Sequence, residues 1–245
     1  MKSIINFILI LSVFISCSNP STKKEDKQDN SENDSIQIVR NPFKNEPSKI
    51  EFEIPILKGT KLRHGVQKRF YTNGDLYSQI PFTRNVRNGI AYTYYQSFGN
   101  GEPMVWKEQP YINGKLDGVC KRYYEDGKLQ AEYTYKNGLP ALGLKEYSQS
   151  GKEINQPKLI LSKKNVDGYI QINAKMSNNS KKVKMFTGVL VEGKYVSNNK
   201  TEIKVKNGVG EISIPASSNA KSVTVIATLF TKYYNTYYTA QTIYL

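Results

Sequence analysis

The chain has 245 residues, 38% of them hydrophobic, with 35 Lys and Arg against 21 Asp and Glu, a formal net charge of +14 at pH 7. That is enough apolar material for a folded region of about two hundred residues to hold itself by core burial. A single His and two Cys leave no cluster to complete a His/Cys metal site or a catalytic triad.

In chain order, Lys2 gives a positive start and Ile4 to Ile15 an apolar run too short for a bilayer span, which needs roughly twenty residues. The run ends at Phe14-Ile15-Ser16-Cys17, which resembles the lipobox of bacterial lipoproteins. Residues 1–16 are therefore expected to be a lipoprotein signal peptide, and Cys17 the acylated N-terminus that anchors the chain to a membrane. Residues 17–35, which after Cys17 contain no apolar side chain large enough to pack, are expected to be a disordered tether.

Residues 36–157 are expected to form a repeat domain. Ile50, Phe52 and Ile54 alternate with charged residues as a half-buried strand does. Gly65-Val66-Gln67-Lys68-Arg69-Phe70-Tyr71-Thr72-Asn73-Gly74 returns as Gly118-Val119-Cys120-Lys121-Arg122-Tyr123-Tyr124-Glu125-Asp126-Gly127. Looser copies follow Gly89 and Gly143. Asn-Gly and Asp-Gly pairs at 73, 88, 113, 117, 126 and 137 supply the positive φ of tight hairpin turns, so the copies stack as antiparallel β-hairpins. The pattern, a glycine followed by an aromatic pair and then Asn/Asp-Gly, resembles the MORN-repeat variant family, which includes YwqK-type antitoxins. The resemblance implies the hairpin fold and the binding of other molecules.

Residues 158–245 hold thirteen Lys, no Arg and four acidic residues, 13 − 4 = +9. Ile170, Ile172, Ala174 and Met176 alternate with polar residues, as do Val223, Val225, Ala227 and Leu229. Six to eight such strands suggest an immunoglobulin-like β-sandwich. The fold class expected is all-β, a hairpin repeat array followed by a sandwich. The export signal puts nucleic acid out of reach, and a Lys-rich face suits anionic headgroups.

Chemistry is sparse. His64 occupies the turn slot of Asn88 and Asp117, and Cys120 lies mid-strand with no histidine to activate it. Of the carboxylates, Asp126 is a turn residue, Glu108 is available, and Glu132 and Glu146 are expected to face solvent. Neither an enzyme, a cofactor nor a metal is expected. By alternation, Val66, Ile90 and Val119 share a face with Phe70, Tyr94, Tyr123 and Tyr147, and with the columns Leu76, Ile80, Phe82 and Leu129, Ala131, Tyr133, Tyr135 of the second strands, all expected to be core. The other face, with Tyr71, Tyr95, Tyr124, Arg69 and Arg122 and an accessible Cys120, is the expected ligand surface. The function expected is that of a non-enzymatic, lipid-anchored outer-membrane protein that binds a protein or glycan through its repeat sheet. The alternatives are an accessory protein of glycan processing and an antitoxin or immunity-like protein.

Overall fold

The computed structural model describes residues 35–97 and 102–245. The signal over 1–16, Cys17 and all but the last residue of the tether lie outside the described residues. The described residues are all-β, with no α-helix among them.

The first sheet holds β1 (Ile36–Pro42), β2 (Ile50–Leu57), β3 (Gly65–Phe70), β4 (Leu76–Thr83), β5 (Val86–Arg87), β6 (Gly89–Tyr94), β7 (Val105–Ile112), β8 (Lys115–Leu116), β9 (Gly118–Tyr123), β10 (Leu129–Lys136), β11 (Leu139–Pro140) and β12 (Lys145–Glu146). Its long strands follow one another in sequence order, each antiparallel to the last. The order follows from the turns. Asn113-Gly114 and Asn137-Gly138 both have positive φ at each residue, the backbone of the two-residue hairpin turn. Arg84-Asn85 takes the same conformation with φ of 46° and 70° and no glycine, so sequence gave no sign of it.

Successive hairpins are locked by a contact between glycine and proline. The N–H groups of His64, Asn88 and Asp117 donate to the carbonyls of Pro55, Pro81 and Pro110 at 3.0, 3.1 and 3.0 Å. The next residue in each case is a glycine with φ of 107°, 112° or 115°. A Cβ on Gly89 or Gly118 would lie 3.0 Å from the proline ring of the preceding strand. The turn slot read for His64 is thus a real position in the repeat, and its work is done by the backbone.

Each hairpin also carries a β-bulge, at Tyr77, Trp106 and Gln130, where register shifts leave one residue without a partner. A bulge bends its strand and re-aims the side chain. Here it brings Tyr77 against Tyr71 (ring centroids 5.0 Å) and Trp106 against Tyr95 (5.9 Å).

Two four-stranded sheets follow, from β13 (Leu159–Val166), β14 (Tyr169–Met176), β15 (Lys184–Val191), β16 (Tyr195–Ile203), β17 (Val205–Lys206), β18 (Val209–Pro215), β19 (Ser222–Phe230) and β20 (Thr236–Tyr244). Their orders are β13-β14-β18-β17 and β16-β15-β19-β20. The alternation expected in β14 and β19 is present, since Ile172, Ala174 and Met176, and Val225 and Ala227, are fully buried. One core cluster joins Ala174 and Met176 to Met185, Val225 and Ala227, and extends to Ala131 of the repeat sheet. Residues 34–245 form one compact unit.

On the second strands Phe82 and Ala131 are buried as expected, at 5 and 0% exposure, but the first strands turn inward the face opposite to the one expected. Val66, Ile90 and Val119 are 47, 43 and 45% exposed, whereas Cys120, expected on the accessible face, is 0% exposed. Tyr94 is buried as expected, but Phe70 and Tyr123 are only half-buried. The cross-strand neighbours explain the inversion. Val66, Ile90 and Val119 stand opposite Pro81, Pro110 and Thr134, a shallow column. Cys120 stands opposite Tyr133, on the face that the C-terminal sheets cover.

Burial pushes the Cys120 thiol up to about 12, with Glu108 adding to the effect. The fold therefore holds the proton that the unfolded chain releases from about pH 9 upward, so this contribution is intact below pH 9 and is lost as pH rises towards 12. By pH 11 the loss from Cys120 alone is on the order of 2–3 kcal/mol. Cys120 of the native protein should resist alkylation at pH 8 until the chain is unfolded, and the melting temperature should fall between pH 9 and 11. Rapid alkylation of Cys120 in the folded chain would contradict the register.

Candidate functional site at the junction of the repeat sheet and the C-terminal sheets

Strand register places two rows of side chains across the repeat sheet, one on each face. On one face Arg40, Glu53, Lys68, Gln79, Tyr92, Glu108, Lys121, Glu132 and Lys145 stand opposite one another in turn. Its charges alternate in sign, the arrangement that stabilises cross-strand pairs. On the other face Phe52, Arg69, Ser78, Thr93, Lys107, Arg122, Ala131 and Glu146 form the row. There two cations, Lys107 and Arg122, stand directly opposite each other, which is destabilising unless a counter-charge is supplied.

No carboxylate among the described residues lies within ion-pair distance of either. The Arg122 guanidinium donates to the Tyr233 carbonyl at 3.1 Å and to Asn235 Oδ1 at 2.6 Å, and its Nε is buried without a partner. Asn235 in turn donates to Glu146 at 2.6 Å, so Arg122 reaches a carboxylate only through an amide. Lys107 has its ammonium 3.8 Å from the Trp106 ring centroid, and Arg122 approaches the same ring at 5.4 Å. Burial and then the Arg122 charge lower the Lys107 pKa.

These cations open into a cavity of about 160 Å3 lined also by Gln109, Tyr133, Tyr135 and Tyr234. Burial holds the Tyr133 phenol well above its ordinary range and pushes Tyr135 up to about 12. Both hydroxyls therefore stay protonated at neutral pH. The site offers two cations, neutral phenols and an amide in one concavity. Among the described residues no group of three or more His, Cys, Asp and Glu could hold a metal.

The residues singled out in the sequence divide. Arg122 is at the junction, and Tyr95 packs on Trp106 beside it. Arg69 is paired with Glu51 at 2.8 Å and lies over Phe52 and Tyr77, while Tyr71 lines a separate cavity of about 320 Å3 with Lys49 and Phe70. The hydroxyls of Tyr71, Tyr95 and Tyr124 donate to the carbonyls of Tyr94, Tyr123 and Tyr147 at 2.9, 2.8 and 2.7 Å. Each ties one copy to the next. Tyr124 meets Tyr233 edge to face at 6.0 Å, where earlier copies have an aromatic bulge residue and this one has Gln130.

Asp126 is a turn residue, bonded to Lys128. Glu146, expected to face solvent, is 1% exposed and accepts from Thr231 at 2.5 Å, Asn235 at 2.6 Å and Gln156 at 2.9 Å. Its burial comes from a loop 85 residues further along the chain, which local alternation cannot show. Lys107 was missed because its partner across the sheet is set by the register between copies, although its place beside the only Trp was a usable signal.

The repeat geometry defines a hairpin-array protein with a cationic junction pocket. The MORN repeat variant profile matches the chain at residues 63–83 and 116–137, the first and third copies of the array. Residues 89–112 between them repeat the same glycine–proline contact. No curated protein and no solved structure matches the chain.

Proposed function

We propose that the chain is a non-enzymatic binding protein of the bacterial envelope, lipid-anchored through Cys17, whose repeat sheet takes an acidic glycan at the junction pocket. The observation that carries this reading is the pair Lys107 and Arg122, set opposite each other with no counter-ion in contact. A sugar carboxylate would supply the missing charge, and Tyr133, Tyr135, Gln109 and Asn235 would meet ring faces and hydroxyls. A protein partner that offers an acidic side chain is the alternative occupant. The non-enzymatic reading is supported by the engagement of the carboxylates: Glu146 is enclosed by three donors and Glu108 accepts from Tyr123. The two four-stranded sheets, with strand neighbours distant in sequence, are read as an immunoglobulin-like sandwich that closes one side of the pocket. The outer membrane is the proposed location, through the lipobox-like Phe14-Ile15-Ser16-Cys17.

A glycan array probed with the full chain and with Lys107→Gln tests the reading. The Lys107 side chain makes no hydrogen bond to another described residue, so the variant should melt normally and lose acidic glycans by at least about tenfold, as expected for a charge-assisted contact. Retention of the same ligands by Lys107→Gln would move the site elsewhere.

A further inference from the structure

A second cavity, independent of the junction reading, lies on the C-terminal sheets. It has a volume of about 520 Å3 and is lined by Lys181, Lys182, Val183, Lys184, Leu229, Phe230 and others. Register builds it: Lys184 stands opposite Thr228, Thr228 opposite Tyr238, and Phe230 opposite Thr236. Three lysines occur within four residues at its rim, no acidic residue lines it, and none of the three has a carboxylate within ion-pair distance among the described residues. Phe230 leaves 73% of its surface in solvent, with Thr228, Thr236 and Tyr238 beside it. Phe230 and the three lysines thus stand side by side on one open concavity.

We infer that this cavity binds a short-chain or single-chain amphiphile with a phosphate headgroup. The lysines, as hydrated point charges, suit a phosphate that needs no planar fork, while Phe230, with the part-buried Leu229 behind it, offers a surface to an alkyl chain. Charge and apolar area are adjacent, which free phosphate would use only in part and a neutral lipid would use only in part. The volume is that of ordinary small-molecule sites.

Titration of the full chain with short-chain phosphatidic acid, kept below its micelle concentration, tests this. The comparison ligands are short-chain phosphatidylcholine and inorganic phosphate, and the variants are Lys182→Gln/Lys184→Gln and Phe230→Ser. Both variants keep the N-terminal apolar run, so lipid held there would be unaffected by them. Phosphatidic acid should bind at least about tenfold more tightly than either comparison ligand. The double lysine variant should weaken it by roughly 25-fold, about fivefold for each lysine near an anionic group, and Phe230→Ser by several-fold. Equal binding of inorganic phosphate, equal binding of phosphatidylcholine, or unchanged affinity in both variants would each overturn the inference. Phe230 is exposed and makes no hydrogen bond through its side chain, so its substitution reads binding even if the lysine variant were to lose stability.

Discussion

Glu146→Ala should lower the stability of the protein by about 3–5 kcal/mol, the range for removing one member of a buried polar network. The carboxylate accepts from Thr231, Asn235 and Gln156, so its loss leaves two amides and a hydroxyl without their acceptor, Asn235 among them buried, and opens a void between β12 and the 231–235 loop. Asn235 also accepts from Arg122, and the loss would therefore loosen the pocket as well as the fold. For a folded unit of this size the expected fall in melting temperature is about 6–20 °C. Glu146→Gln should cost far less, because Gln156 can rotate its amide and Thr231 can turn its hydroxyl to meet the new side chain. Thermal melts of the two variants decide this, and equal melting of Ala and wild type would contradict the network.

Gly118→Ala is the second substitution with a large expected effect, about 2–4 kcal/mol. Gly118 has φ of 115°, where an L-residue pays about 1–3 kcal/mol of backbone strain. Its new Cβ would also lie 3.0 Å from Cγ and 3.5 Å from Cβ of Pro110, and a proline ring cannot turn away. Gly143→Ala separates the two costs, since Gly143 has φ of 91° with nothing within 4 Å of a Cβ. Denaturant unfolding should show Gly143→Ala less destabilised than Gly118→Ala, and Pro110→Ala combined with Gly118→Ala should recover only the steric share. Equal costs at the two glycines would remove the glycine–proline contact from the account of how copies stack.

The repeat and its turns were legible because they are local. Asn113-Gly114 and Asn137-Gly138 declare their φ values in the residue types, and the recurrence of Gly65 and Gly118 fixed the copies. The prolines at 81 and 110 were equally visible, but their pairing with glycines of the following copy depends on a register that one sequence does not state. The faces were misassigned for a related reason. Val66, Ile90 and Val119 are apolar and alternate correctly, yet the choice of buried face is made by what packs on the sheet, and that is the C-terminal unit carrying Ala131 into its core. Tyr233 and Asn235 are more than a hundred residues from Arg122 along the chain, beyond any periodicity. Of the candidate site, Arg122 was found from its aromatic and basic neighbours, while Lys107, Tyr133 and Tyr135 emerged only when strands were placed side by side.

Trp106 is the only tryptophan, its ring 3.8 Å from the Lys107 ammonium and 5.4 Å from the Arg122 guanidinium, so its fluorescence reports directly on the proposed pocket. Titration of the full chain with a uronic-acid oligosaccharide, beside the neutral oligosaccharide of the same length, is the decisive measurement. The account predicts a saturable change in Trp106 emission with the acidic sugar alone, weakened by added salt and lost in Lys107→Gln. A saturable change of the same size with the neutral sugar, or one that survives in Lys107→Gln, would contradict it.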